Sequence, residues 1–257
     1  MNNLEKLKNK KVFVFDKDDT ITLSNEIMDE EMRDLFCQLL AQKQVAVISG
    51  QKLDNLHRDI TNVLECKDLF GNLMLLPTNG SAFLKYQNGE WKEILSRKLT
   101  NEQVKKIFDA FNKALAEYGH HVENPVGPIV ENRITGVSFA ALGIDADPVE
   151  KRKWDPDHKK REAIVKILAP MLPEFNVKIG GTTTIDVMDK SVNKATGMKD
   201  IAEHLGLSLD DFVYVGDALF PGGNDEVVMN IGVDTVDVCD ENYPTQKTKD
   251  FLKNFLQ

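Results

Sequence analysis

The sequence predicts a doubly wound α/β core interrupted by an α+β insertion. Two observations carry this. Short apolar, β-branched runs alternate with amphipathic stretches at both ends of the chain, the pattern of parallel strands joined by crossover helices. Between those ends the rhythm changes to hairpin signals mixed with helices.

Residues 12–15 (VFVF) form an apolar run that stops at Asp16, as in a strand buried on both faces. A helix is expected over 26–42, where Ile27, Met28, Met32, Leu35, Phe36, Leu39 and Leu40 recur at helical spacing. VAVIS (45–49) reads as a second strand closed by Gly50, followed by a helix over 52–65 with Leu53, Leu56, Ile60 and Leu64 on one stripe. LMLLP (73–77) gives a third strand. In the middle of the chain, AFLKY and EWKEIL flank Asn88-Gly89, a hairpin signal. Helices are expected at 101–118 and 158–169, with extended pieces near 129–140 and 175–188. The βα rhythm returns with a helix over 194–205, strands at 213–216 and 231–238, and a closing helix at 243–256. The core is therefore expected to span 1–84 and 188–257, and the insertion 85–187.

Composition narrows the classes. Of 257 residues 42% are hydrophobic and 28% charged, which suits a globular chain with a real core. No apolar run approaches the ~20 residues of a membrane helix, and the lysine-rich amino terminus is not a signal peptide. A net charge of −9 argues against nucleic acid as a partner. Cys37, Cys66 and Cys239 form no CxxC pair. They are expected to be buried free thiols of a reduced, cytoplasmic protein.

The chemistry concentrates at strand ends. Asp16-Lys17-Asp18-Asp19-Thr20 follows the first strand, so Asp16 and Asp18 face one crevice at the carboxyl edge of the sheet. Two carboxylates that close need a hard cation such as Mg²⁺, or one of them keeps a proton. Both states suit phosphoryl transfer, with one carboxylate attacking and the other shuttling a proton. A second apolar strand, VYV, delivers Asp217, and the glycine-rich segment behind it carries Asp225. Ser49-Gly50 closes the second strand with a hydroxyl and backbone N–H groups able to hold phosphoryl oxygens. Lys194 lies where the core resumes. Taken singly, each of the last two is also a common turn or a solvated helix start.

In this order the four pieces resemble the haloacid dehalogenase superfamily. Its DxDxT motif is matched by Asp16, Asp18 and Thr20, and its second-strand Ser by Ser49. Lys194 matches its lysine, and Asp217 with Asp225 its acidic GD…ND segment. The insertion resembles the type IIB cap, on a Rossmann-like core. PGGND (221–225), Ile179–Gly181, Ile185–Val187 and Glu131–Arg133 resemble phosphomannomutases in particular. The resemblance implies a nucleophile at Asp16 and a general acid/base at Asp18. It implies Mg²⁺ on Asp16, Asp217, Asp225 and the Asp18 backbone carbonyl. Phosphoryl binding falls to Ser49, Gly50 and Lys194, and sugar-phosphate binding to Arg133, Thr184 and Asp186. It also implies pairing of two chains through the insertion.

Two departures stand out. The glycine usual after the second aspartate is Asp19, a residue type that tolerates a left-handed backbone. An arginine usual in the mutases is Ile144, which removes one bidentate phosphate clamp. The basic runs 151–153 and 159–161 are expected to be solvated faces near helix starts. A phosphatase acting on a sugar phosphate or related small metabolite is the leading expectation, with a phosphomannomutase as the alternative. A DxD glycosyltransferase would need a nucleotide-sugar unit ahead of Asp16. A receiver domain would not carry the long insertion. A catalytically silent sugar-phosphate sensor sits poorly with Asp16, Asp18, Lys194 and Asp217 all present. No HExxH array or GxxxxGK[ST] loop occurs.

Overall fold

The computed structural model describes residues 3–133 and 135–257. Helix α1 (Asn3–Lys8) leads into strand β1 (Val12–Asp16), helix α2 (Glu30–Leu40), strand β2 (Gln44–Ile48), helix α3 (Leu53–Leu56) and strands β3 (Leu73–Leu76), β4 (Ala82–Gln87) and β5 (Glu90–Ser96). Next come α4 (Asn101–Tyr118), β6 (Val130–Asn132), β7 (Gly136–Ala140), α5 (Pro148–Trp154), α6 (Lys159–Leu168), β8 (Phe175–Gly180) and β9 (Thr184–Asp189). The chain closes through α7 (Lys194–Leu205), β10 (Phe212–Gly216), α8 (Glu226–Met229), β11 (Asp234–Asp237) and α9 (Gln246–Leu256).

These elements form two compact units, one running to Ser96 and resuming at Val192, the other Arg97–Ser191. The first unit is built on a seven-stranded sheet in the order β11-β10-β1-β2-β3-β4-β5. Strands β11 through β3 are parallel, while β4 and β5 are antiparallel additions. The period-two alternation of β1 feeds both faces. Phe13 and Phe15 pack with Met32, Phe36 and Leu39 of α2 and with Leu252 and Phe255 of α9. Val12 and Val14 pack on the other face with Met198 and Ile201 of α7. Each such side chain contributes about 1.5–3 kcal/mol by leaving water. That burial fixes β1, and with it Asp16, in the middle of the sheet.

The second unit is a four-stranded antiparallel sheet, β6-β7-β9-β8. Val137, Phe139, Ile185 and Val187 of one face pack against Ile107 and Phe111 of α4 and Ile164 and Leu168 of α6. Ser138, Thr184 and Asp186 alternate with these apolar residues, so they share the other face.

Several expectations are corrected. The hairpin placed in the insertion belongs to the first unit, because β4 pairs with β3 (Leu75↔Leu84) and its Phe83 and Leu84 are buried in the core. The divisions thus fall after Ser96 and after Ser191, not at 84/85 and 187/188. The helix expected over 52–65 is α-helical only for Leu53–Leu56 and continues as a π turn at His57–Thr61. That turn buries Asp59, Ile60 and Thr61 together. The strand expected at 231–238 shrinks to Asp234–Asp237.

The free-thiol expectation fails for two of the three cysteines. Cys37 of α2 and Cys66 are bonded to each other, with their Cα atoms 5.8 Å apart, and Cys239 is the free thiol. A link across 29 residues stabilises by about 3.5 kcal/mol through lost loop entropy in the unfolded chain. Dithiothreitol, or the Cys37→Ser substitution, should lower the urea unfolding free energy by up to that amount. Among the described residues no helix is long and apolar enough to cross a membrane.

Candidate active site

Parallel pairing brings the carboxyl ends of β1, β2 and β10 to one edge of the sheet. Asp16 ends β1, Ser49 follows β2, and Asp217 follows Gly216 at the end of β10. Helix α7 starts at the same edge. Its N-cap Asn193 accepts from the Thr196 N–H, which puts Lys194 in the first turn.

Lys194 is the hub. It is 2% exposed, and its Nζ lies 2.8 Å from Asp16 Oδ1 and 2.6 Å from Asp225 Oδ1. It also donates to Asn224 Oδ1 at 3.3 Å. The Tyr214 hydroxyl donates to Asp225 Oδ1 at 2.5 Å, and the Ala218 N–H donates to Asp225 Oδ2 at 3.2 Å. Asp225 is thereby fixed from three sides. Gly216 must lack a side chain, because a Cβ there would collide with the Asp225 carboxylate. The Thr20 hydroxyl donates to Asp217 Oδ1 at 3.2 Å.

The electrostatics follow from burial. Desolvation pushes Asp16 up to about 7, against the pull of Lys194 and with the repulsion of Asp225. Burial also raises Asp217, helped by the Asp225 charge. For Lys194 burial pulls downward, but Asp16 and Asp225 outweigh it and hold the ammonium above its usual value. Burial drives the Tyr214 phenol well upward, so it stays a donor.

Asp16, Asp217 and Asp225 offer carboxylate oxygens that all lie within 4.8 Å of one another. Hard oxygen donors crowded against one another, with protonation favoured at Asp16, fit a divalent cation of the Mg²⁺ type. The Asp18 carboxylate is outside that group. It accepts from Gln51 Nε2 at 2.8 and 3.0 Å and from Lys17 Nζ at 3.1 Å. Ser49 is buried and its Oγ accepts from the Gln51 N–H at 3.0 Å. Gly50 is exposed beside it. Asp19 occupies the left-handed region (φ 58°), and its carboxylate accepts from the Ser24 N–H, so an aspartate serves where glycine was expected.

The second unit carries the other three expected residues. Arg133 Nε donates to Glu131 Oε2 at 3.0 Å, and its Nη1 lies 3.9 Å from Asp186 Oδ1. The Ser138 hydroxyl donates to Asp186 Oδ1 at 2.5 Å. A Cβ on Gly180 would collide with both the Asp186 carboxylate and the Thr184 hydroxyl, which places these two side chains together. Lys151 Nζ donates to the Ile144 carbonyl at 2.7 Å.

Arg161 is not part of a solvated face. It is buried, pairs with Asp155 at 2.8 Å, and donates to the carbonyls of Gly180 and Gly181 at 2.7 Å each. Burial raises Asp155, but the hydrogen bonds from Arg161 and two backbone N–H groups hold it below the usual carboxylate range. Its stabilisation is therefore complete above about pH 4, the unfolded value, and is lost as pH falls through the lower folded value. Acid unfolding of the protein should become shallower below that pH in Asp155→Asn, read by circular dichroism against pH.

The residues missed by sequence reasoning are Lys17, Gln51, Asp59, Tyr214 and Asn224. Tyr214 carried a signal, a lone hydroxyl inside the apolar VYV strand. Asp59 carried none, because its partner lies 42 positions away in Lys17.

Comparison with known proteins finds related sequences and folds. The haloacid dehalogenase-like hydrolase family matches residues 143–225. Phosphomannomutase 2 of Dictyostelium discoideum is 25% identical over 230 residues, covering 85% of this chain and 86% of that protein. A phosphomannomutase of Encephalitozoon cuniculi is 24% identical over 229 residues, covering 86% and 85%. The chain resembles the haloacid dehalogenase-type phosphoryl-transfer enzymes, and among them the phosphomannomutases. The fold agrees as well. A haloacid dehalogenase-like hydrolase from Bacteroides thetaiotaomicron superposes with a TM-score of 0.65 at 14% identity, over 96% of this chain and 98% of that one. The IMP-bound IMP-nucleotidase of Plasmodium falciparum also gives 0.65 at 14%, over 99% and 71%.

Proposed function

We propose that this chain is a Mg²⁺-dependent phosphatase acting on a sugar phosphate or a related small phosphorylated metabolite, through an aspartyl phosphate on Asp16. The observation that supports it most is the buried Asp16 carboxylate held 2.8 Å from Lys194 at the carboxyl end of the central strand. An Asp16 oxygen attacks phosphorus as the ester P–O bond breaks. Asp18 gives its proton to the leaving oxygen. It then takes a proton from the water that attacks the aspartyl phosphate, which releases inorganic phosphate and restores Asp16. The Ser49 hydroxyl, the Gly50 N–H and Lys194 hold the phosphoryl oxygens. When bound by Asp16, Asp217 and Asp225, a divalent cation neutralises charge on the transferring group. Arg133, Thr184 and Asp186 offer a guanidinium, a hydroxyl and a carboxylate suited to a phosphorylated sugar.

A phosphomannomutase is the second reading, favoured by the names of the relatives that share most of the chain's length. Phosphorus NMR separates the two. The enzyme is mixed with Mg²⁺, mannose 1-phosphate and a trace of hexose 1,6-bisphosphate. Release of inorganic phosphate is expected. Accumulation of mannose 6-phosphate would instead make the chain a mutase.

A further inference from the structure

Asp18 is held more firmly than a solvent-facing acid needs. Its Oδ1 accepts from Lys17 Nζ at 3.1 Å, Gln51 Nε2 at 2.8 Å and the Asn25 N–H at 3.3 Å, and its Oδ2 accepts from Gln51 Nε2 at 3.0 Å. Each of the two side-chain partners is itself fixed at a cost. Lys17 is fully buried, and its Nζ is shared with Asp59 at 2.9 Å, which is fully buried too. Asp59 is presented by the π turn and clasped by Arg58 through two bonds, of 2.5 and 2.9 Å. A buried lysine–aspartate pair rarely stabilises a fold better than apolar side chains of the same size. A π turn is also a rare local conformation, found frequently at functional sites.

Gln51 is fixed from the other side. Its N–H donates to Ser49 Oγ at 3.0 Å, and its carbonyl accepts from the Thr78 N–H at 2.8 Å. The Asn79 N–H donates to the Ser49 carbonyl at 2.8 Å. The turn that supplies these bonds has three successive left-handed residues, Thr78 (φ 49°), Asn79 (φ 56°) and Gly80 (φ 83°). A β-branched threonine in that region is strained. The Gln51 Oε1 is buried without a hydrogen-bond partner, so the amide is oriented by Asp18 alone. Strain, a buried ion pair and an unmatched amide oxygen all converge on one carboxylate.

We infer that Gln51 and Lys17 are positioning residues that aim the Asp18 carboxyl group, with Asp59 anchoring Lys17. This rests on Asp18 being the acid that protonates the leaving oxygen. Proton transfer depends steeply on alignment, and general acid catalysis is worth about 10²- to 10⁴-fold. A misaimed Asp18 therefore slows departure of a poor leaving group and affects a good one far less. Ground-state binding at Ser49 and Lys194 is untouched, so kcat falls while KM holds.

The test compares two esters of nearly one shape, phenyl phosphate and p-nitrophenyl phosphate, by single-turnover phosphorylation of the enzyme with Mg²⁺ present. Nitrophenolate departs without a proton, whereas phenolate departs far more readily with one. Gln51→Met, which keeps length and loses the donor, should lose about tenfold more rate on phenyl phosphate than on p-nitrophenyl phosphate. Gln51→Glu, isosteric with the native amide, and Lys17→Met should show the same selectivity. In an Asp18→Asn background, Gln51→Met should add no further selectivity, because its effect runs through Asp18. Equal losses on both esters, no loss on either, or undiminished selectivity in that background would overturn the inference while leaving the wild-type reaction standing. A wild-type enzyme that takes phosphate from neither ester would overturn the parent reading, and the positioning roles with it.

Discussion

Asp16→Asn should abolish turnover of every phosphate ester, by about 10⁴-fold or more, because the amide oxygen cannot take the phosphoryl group. The same substitution should not weaken the fold. Burial raises the Asp16 pKa to about 7, with Asp225 adding repulsion and Lys194 opposing it. A raised carboxyl pKa means that the folded state binds the proton more tightly than the unfolded one does. The charged form of Asp16 therefore costs stability, and the cost builds as pH rises from about 4, the unfolded value, through the folded value of about 7, above which it is complete. Above pH 7, without divalent cation, Asp16→Asn should unfold at the same or a higher urea concentration than the wild type. Loss of activity with retained stability is the signature of a reactive group held against its own preference.

Lys194→Met is the second large effect, with the opposite sign for stability. The ammonium is the one cation within bonding distance of both Asp16 and Asp225 among the described residues. Without it two buried carboxylates and the Asp217 charge lose their counterion. The loss should be about 3–5 kcal/mol in urea unfolding, as for other broken buried pairs. Catalysis should fall by about 10³-fold or more through loss of charge stabilisation at the phosphoryl oxygens. Millimolar Mg²⁺ should return part of the lost stability by binding only the folded carboxylate cluster. It should return little of the activity.

The placement of several candidate site residues was legible because they sit at the ends of strands. A run such as VFVF is recognisable by composition, and the residue that stops it is placed by the sheet's own geometry. Asp16, Ser49 and Asp217 follow directly from that rule, and α7 begins at Lys194 as expected. The second unit's helices, expected at 101–118 and 158–169, lie at Asn101–Tyr118 and Lys159–Leu168.

What stayed hidden depends on pairings that periodicity does not record. Lys17 stands between two aspartates in the sequence, yet it is buried against Asp59 of a different element. Arg161 belonged to a basic run, and only the packed structure shows it buried on Asp155 and the Gly180–Gly181 carbonyls. The Cys37–Cys66 bond joins residues whose spacing matches no motif. The β4–β5 hairpin was seen as a hairpin but assigned to the wrong unit. Its turn signal says nothing about the neighbour, and the pairing of Leu84 with Leu75 decides that.

The most direct test is to trap the covalent intermediate. Enzyme, Mg²⁺ and p-nitrophenyl phosphate are mixed, quenched in acid within milliseconds, digested and analysed by mass spectrometry. One phosphoryl group on the peptide carrying Asp16, labile to hydroxylamine and absent in Asp16→Asn, is the expected result. Phosphoryl transfer with no label on that peptide, or with label on another residue, would contradict the assignment of Asp16 as the nucleophile.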